Sequence, residues 1–258
     1  MINAGFRFDA QYQDRGGLDG GATYTRLNYK GGIAALDQAA EFLSGRINFM
    51  PDALPGSLTL RLDGHQINNN DTTNESDDVQ VVAPQLSFLN HRKTFYLDLG
   101  YAFSSYAKSR IGNGALIVQQ WTPTLGLGFN HQADWLQLRL YDAHASNVGR
   151  ALRGHTDALE IKLTHYFSAR SAWLPRSVTI GALVGDRMYA VDPDTQIVYN
   201  LADEQSGGAF LAAQWQLSRR FDLTLSGGSD RYQAQDTVRG GQYGYTGTYG
   251  YLGLTADW

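Results

Sequence analysis

From Ile2 to Gln13 the chain alternates without a break: Ile2, Ala4, Phe6, Phe8, Ala10 and Tyr12 share one parity, and Asn3, Gly5, Arg7, Asp9, Gln11 and Gln13 the other. Side chains of an extended strand point in turn to its two faces, so the run predicts a strand with one apolar and one polar face. The same period returns along the chain. Leu58, Leu60 and Leu62 alternate with Thr59, Arg61 and Asp63, and Phe95, Leu97, Leu99, Tyr101 and Phe103 alternate with Tyr96, Asp98, Gly100 and Ala102. It continues through Leu125, Leu127 and Phe129, then Leu136, Leu138 and Leu140, then Leu159, Ile161 and Leu163, then Phe221, Leu223 and Leu225; the opposite parity there carries Arg139, Glu160, Lys162 and Asp222.

Alternation alone fits a soluble sandwich as well as a membrane barrel, because both have strands with two unlike faces. Three features select the barrel. Most strand candidates run for about 10 residues or more, against about 5 to 6 for ordinary strands, and this length suits a tilted membrane crossing. Links alternate in length: short at 52–55, 90–93, 131–134, 169–176 and 218–220, long and polar at 68–78, 108–114, 147–156, 190–206 and 235–242. Short turns at one end and long loops at the other are the asymmetry of outer-membrane barrels. Finally, the chain stops on an alternating run that includes Tyr249, Tyr251, Leu252, Leu254 and the terminal aromatic Trp258.

That last run resembles the C-terminal assembly signal of Gram-negative outer-membrane β-barrel proteins, in which a terminal Phe or Trp closes the last strand. The resemblance implies a bacterial outer-membrane location, contact with outer-membrane lipid and lipopolysaccharide, and recognition by the barrel assembly machinery. The expected fold is all-β, a transmembrane antiparallel up-and-down barrel of about 12 strands, counted back from Trp258 with the last running towards the periplasm. Segment 22–30 reads either as a strand of its own or as part of a long first loop, so 14 strands is the alternative. Trp121, Trp135, Trp173, Trp215 and Trp258 fall near predicted strand ends and are expected in aromatic girdles at the headgroups.

Composition narrows this further. A length of 258 residues suits one large all-β domain spanning 1–258, and 29 Gly, 15 Tyr and 11 Phe with only 6 Pro favour strands joined by turns. No stretch approaches the roughly 20 apolar residues of a membrane helix. The mean hydropathy of −0.34 is what strands apolar on one face alone produce. With no cysteine there is no disulfide framework and no thiolate metal site. The net charge of −4 is scattered in both signs, which leaves no basic stripe for nucleic acid. The N-terminus opens directly on a strand pattern, so a signal or an upstream domain of a longer precursor is expected before it.

The polar parity predicts the lumen lining: Arg7, Arg46, Arg61, Arg139, Lys162 and Arg187 against Asp9, Asp63, Asp98, Glu160, Asp222 and Asp230. Such mixed charge opposes strong ion selectivity and reads either as a pore lining or as an ion-paired brace. Elsewhere, His144-Ala145-Ser146-Asn147-Val148-Gly149-Arg150 resembles the His-x-Ser-Asn segment of outer membrane phospholipase A and of the lipid A deacylase. The resemblance implies an outward-facing lipid esterase with His144 as base, Ser146 as nucleophile, Asp157 as orienting acid and Arg150 steadying an oxyanion. In the phospholipase Gly-Arg follows Ser-Asn directly, whereas Val148 intervenes here. No histidine shows paired metal-ligand spacing along the chain, and neither a metal nor a cofactor is expected. The leading expectation is therefore an outer-membrane channel or export conduit for a solute or a polymer such as an exopolysaccharide, working with a periplasmic secretion partner. A lipid acyl hydrolase and a structural or adhesive barrel are the alternatives.

Overall fold

The computed structural model describes residues 2–12, 15–27, 36–70, 78–106, 114–147, 151, 153–168, 174–194, 197–198, 203–218, 221–236 and 241–256. Ten long strands come first: β1 (Ile2–Tyr12), β2 (Gly16–Leu27), β3 (Leu36–Phe49), β4 (Gly56–Asn69), β5 (Val79–Asn90), β6 (Phe95–Tyr106), β7 (Leu116–Phe129), β8 (Asp134–Ala145), β9 (His155–Tyr166) and β10 (Ser177–Arg187). A short pair, β11 (Val191–Asp192) and β12 (Ile197–Val198), precedes the last three long strands, β13 (Glu204–Gln216), β14 (Phe221–Asp236) and β15 (Gly241–Ala256). The long strands form one 13-stranded sheet in chain order, each antiparallel to the next, and β11 and β12 pair only with each other.

The count exceeds the expected twelve because the segment left open between strand and loop, 22–30, is strand as far as Leu27: it belongs to β2, which pairs with both β1 and β3. Thirteen is odd, so β1 and β15 run the same way. Among the described residues no pairing joins these two edges. Direct contact between them would be parallel, and an antiparallel seam needs one further strand.

Links at one end of the sheet are 13–15, 50–55, 91–94, 130–133, 167–176 and 217–220; those at the other are 28–35, 70–78, 107–115, 146–154, 188–203 and 237–240. The asymmetry holds with one correction. The expected long loop over 235–242 shrinks to 237–240, because β14 and β15 pair as far as Asp236 and Gly241. At the short-link end, Asn130, His131 and Gln132 take φ of +49°, +55° and +67° in a tight left-handed turn. Asn130 Nδ2 there donates to Asp134 Oδ2 at 2.9 Å.

The two faces of the sheet are inverted relative to a soluble protein. Leu60, Leu62, Leu86, Leu97, Leu99, Leu140, Ile180 and Leu211 are 41–56% exposed, whereas Asp63, Gln120, Arg139 and Glu160 are at most 7% exposed. A sandwich buries its leucines; here the sheet curls around its polar face. One belt of that inner face runs in register through Ser87, Asp98, Thr124, Arg139, Glu160, Leu183, Gly208 and Asp230, from β5 to β14. Towards the long-link end the interior changes character and packs as an apolar core of Ile67, Val79, Val81, Tyr106, Leu116 and Val118 with Met188, Tyr189 and Val191.

Of the five tryptophans, Trp121 lies outward on β7 with its ring 4.8 Å from that of Tyr101. Trp215 shares the outward parity of Leu211 on β13, near the short-link end. Trp135 departs from the girdle expectation: it shares the inward parity of Arg139, and its ring covers Gly126, where a Cβ would collide with it. Trp173 and Trp258 lie outside the described residues.

Candidate functional site: the lumen and its inward segment

Curling creates an interior, and the chain fills part of it with itself. The β10–β13 ladder breaks its register between Val184 and Arg187 on one strand and between Gln205 and Gly207 on the other. Gly185 and Gly207, at the same height, take φ of +99° and +139°. A Cβ on Gly185 would strike the Asp157 carbonyl of β9, so only glycine fits this bulge without strain. The bulge aims Arg187 inward, where its guanidinium stacks 4.8 Å above the Tyr141 ring and donates to Gln205 Oε1 at 3.1 and 2.6 Å.

Past this point the chain turns against the inner face of the sheet. Met188, Tyr189, Ala190, Val191 and Asp192 are each no more than 4% exposed. The Tyr189 ring lies 4.6 Å from Tyr106, and Gln120 clamps the Val191 backbone, its Nε2 donating to the carbonyl at 2.7 Å and its Oε1 accepting from the N–H at 2.9 Å.

The acidic turn that follows is held by the basic residues of the inner belt. Arg139 Nη1 donates to Asp192 Oδ1 at 3.3 Å and Nη2 to Asp194 Oδ1 at 2.5 Å, while its Nε donates to Thr124 Oγ1 at 3.0 Å. Lys162 Nζ lies 3.0 Å from Asp194 Oδ2 and 2.9 Å from Glu160 Oε2, and Gln137 Nε2 donates to Asp194 Oδ2 at 2.9 Å. Arg61 Nη2 donates to the Pro193 carbonyl at 2.6 Å and pairs with Asp63 Oδ2 at 2.8 Å. Arg61 on β4 and Arg139 on β8 would stand about 19 Å apart in a flat sheet. Both reach one three-residue turn only because the sheet curls around it. Burial alone would raise the Asp194 carboxyl, but the Arg139 charge and hydrogen bond, then Lys162 and the Gln137 amide, outweigh it and hold the group well below the usual carboxylate range.

The inner-face residues expected from the sequence thus fall into place unevenly. Arg61, Arg139 and Lys162 grip the segment; Asp63 bonds Ser44 Oγ at 2.5 Å; Asp98 accepts from the Gln85 amide; and Asp9 lies 3.6 Å from Arg46 across β2. Asp222 and Asp230 stand on the inner parity of β14, and the Arg7 side chain lies outside the described residues. Alternation missed the partners on the segment, Asp192 and Asp194, and the clamp Gln120. The available signal was an apolar run, Met188 to Val191, inside a link that otherwise reads as polar.

The residues of the terminal alternating run divide between the faces. Leu252 and Leu254 pair with Leu225 and Leu223 on the outer parity, whereas Tyr249 and Tyr251 oppose Gly228 and Ser226 on the inner one. The Tyr249 hydroxyl covers Gly228.

The outward His-Ser-Asp candidates sit at the long-link ends of β8 and β9. His144 opposes His155 and Asp142 opposes Asp157 in register. His144 Nε2 lies 3.0 Å from Asp142 Oδ1, and His155 Nε2 lies 2.9 Å from the same oxygen and 3.3 Å from Asp157 Oδ1. Ser146 is engaged elsewhere: its Oγ accepts the Ile117 N–H at 2.9 Å, and its own N–H donates to the Ile117 carbonyl. Among the described residues His144 therefore turns to Asp142, and Asp157 faces His155. Arg150 lies outside them.

No family model, curated protein or solved structure matches the chain.

Proposed function

We propose that the chain is the barrel of a bacterial outer-membrane conduit whose lumen is narrowed by its own residues 188–194 and 197–198. The carrying observation is the inverted sheet with a tethered segment inside it: an exposed apolar face of membrane-spanning strand length, a charged inner face, and a turn held there by side chains of β4, β7, β8 and β9. Polar groups on that inner face support water within. Arg61 Nε, His65 Nε2, Asp98 Oδ1 and Tyr141 Oη are buried without a partner among the described residues, and a hydrated lumen satisfies such atoms. Beside the segment a cleft remains between Arg61, Gln85, Gly100, Gln120, Thr122 and Pro193. With the segment in place the path suits water and small ions; an extended polymer passes only when it is displaced. On this reading the outer leucines face lipid, the long links face lipopolysaccharide outside the cell, and the run to Trp258 is the assembly signal at the periplasmic end.

Conductance of the purified, folded protein in a planar bilayer tests the proposal. Wild type is expected to carry a small or intermittent current, and a variant with 189–197 replaced by a short glycine linker a large, steady, ohmic one. A linker variant that folds, as judged by heat-modifiable gel mobility and β-type circular dichroism, yet passes no current would overturn it.

A further inference from the structure

We propose that Asp142, His144, His155 and Asp157 form a binding site for a divalent transition-metal ion of the zinc class on the outer face of the sheet. It is independent of whether the lumen conducts.

None of these four residues falls on a sequence motif for metal, because the ligand spacing is across strands. Asp142 and His144 are two apart on β8 and so share a face, as do His155 and Asp157 on β9. Antiparallel register then sets His144 directly opposite His155 and Asp142 directly opposite Asp157. Four ligand-type side chains occupy two consecutive levels of one face.

Their ligand atoms converge. Both histidine Nε2 atoms approach the same Asp142 oxygen, at 3.0 and 2.9 Å, and Asp157 Oδ1 stands 3.3 Å from His155 Nε2. Atoms bound tetrahedrally at zinc distances of about 2.0–2.1 Å lie about 3.3 Å from one another. The three atoms offered by Asp142, His144 and His155 already lie within 4.8 Å of each other. The imidazoles stack at 4.3 Å with an interplanar angle of 8°; an ion shared by both needs the rings to swing from parallel about their exposed side-chain torsions so that the two Nε2 lone pairs converge.

Donor chemistry selects the ion. Two imidazole nitrogens with carboxylate oxygens suit Zn²⁺, Co²⁺, Ni²⁺ or Cu²⁺, whereas Ca²⁺ and Mg²⁺ take all-oxygen shells. The histidine side chains are 57% and 48% exposed, so an ion would keep positions open to water or to an anionic ligand.

The test uses the full chain without an added histidine tag, folded in detergent. Zn²⁺ is titrated by calorimetry, and Co²⁺ is followed by its visible absorption. Wild type is expected to bind one equivalent, with Co²⁺ bands of a four- or five-coordinate nitrogen and oxygen site. His144→Ala combined with His155→Ala should abolish saturable binding, and Asp142→Asn should weaken it by about tenfold or more. His165→Ala is the control: that histidine pairs with Asp134 at 2.6 Å at the opposite end of the sheet and should bind as wild type. These positions are exposed, so the variants are expected to fold, and gel mobility checks it. Absence of saturable Zn²⁺ binding by wild type, or unchanged stoichiometry and affinity in the double histidine variant, would overturn the site.

Discussion

Arg139 carries more of the interior than any neighbour: it is 1% exposed and meets Glu160, Asp192 and Asp194, carboxylates of both the wall and the segment. Arg139→Met removes the cation but leaves the buried acids. Truncating one side of a buried ion pair costs about 3–5 kcal/mol, because the remaining charge stays out of water. Urea unfolding in lipid vesicles should register a loss of that order, with larger bilayer currents from the folded fraction; an unchanged midpoint would mean the network is solvated. Gly185 is the second sensitive residue. At φ +99° a side chain is strained and meets the β9 backbone, so Gly185→Val should cost about 1–3 kcal/mol and unseat the segment. Protease cleavage within 188–198 would detect that release. Arg139, Lys162 and Arg61 were legible from alternation alone, since parity names the inner face. Asp192 and Asp194 were not: parity says nothing of a link that folds back, and the glycine that turns it inward looks like any other strand glycine until its φ is known.

At the scale of the element, the period-two pattern was enough to place β1, β4, β6 through β9, β14 and β15, because exposed apolar and inward polar residues alternate over much of their length; towards the long-link end the inner face turns apolar as well. It left β2 open between strand and loop: Gly16-Gly17-Leu18-Asp19-Gly20-Gly21 offers few side chains to read, and the strand is held by neighbours on both sides. The quartet on β8 and β9 was half legible. His144 and Asp157 stood out, but the pairing of His144 with His155 is a matter of register, which the hydrophobic pattern leaves free until the hairpin is built. The outer faces of these strands also carry a depth scale. Leu136, Leu138 and Leu140 give way to Asp142 and His144 on β8, with Trp121 opposite Asp142 on β7. Where that change marks the membrane boundary, Leu138→Lys should cost about 2–4 kcal/mol and His144→Lys no more than about 1. Refolding equilibria in lipid vesicles measure both. Equal small effects would mean that the apolar face does not meet hydrocarbon.

For the whole molecule, the decisive relation is between the wall and the segment it encloses, because the same ion pairs that hold the turn set the pH at which it lets go. Asp194 faces Arg139 and Gln137 of β8 and Lys162 of β9, with Asp192 beside it on its own turn and Glu160 behind Lys162. Its carboxyl is held well below the usual range when tethered, and returns to about 3.9 when the segment swings into water. A group whose tethered value is depressed favours the tethered state fully above its free value, and that preference is lost as pH falls from the free value through the tethered one. Conductance should therefore stay flat from pH 8 down to about 4 and rise only in more acidic solution. Asp194→Asn, which lacks the charge at every pH, should show the raised current already at neutrality and a weaker acid response. A wild-type step between about pH 5 and 7 would instead mean that a group other than Asp194 controls the segment.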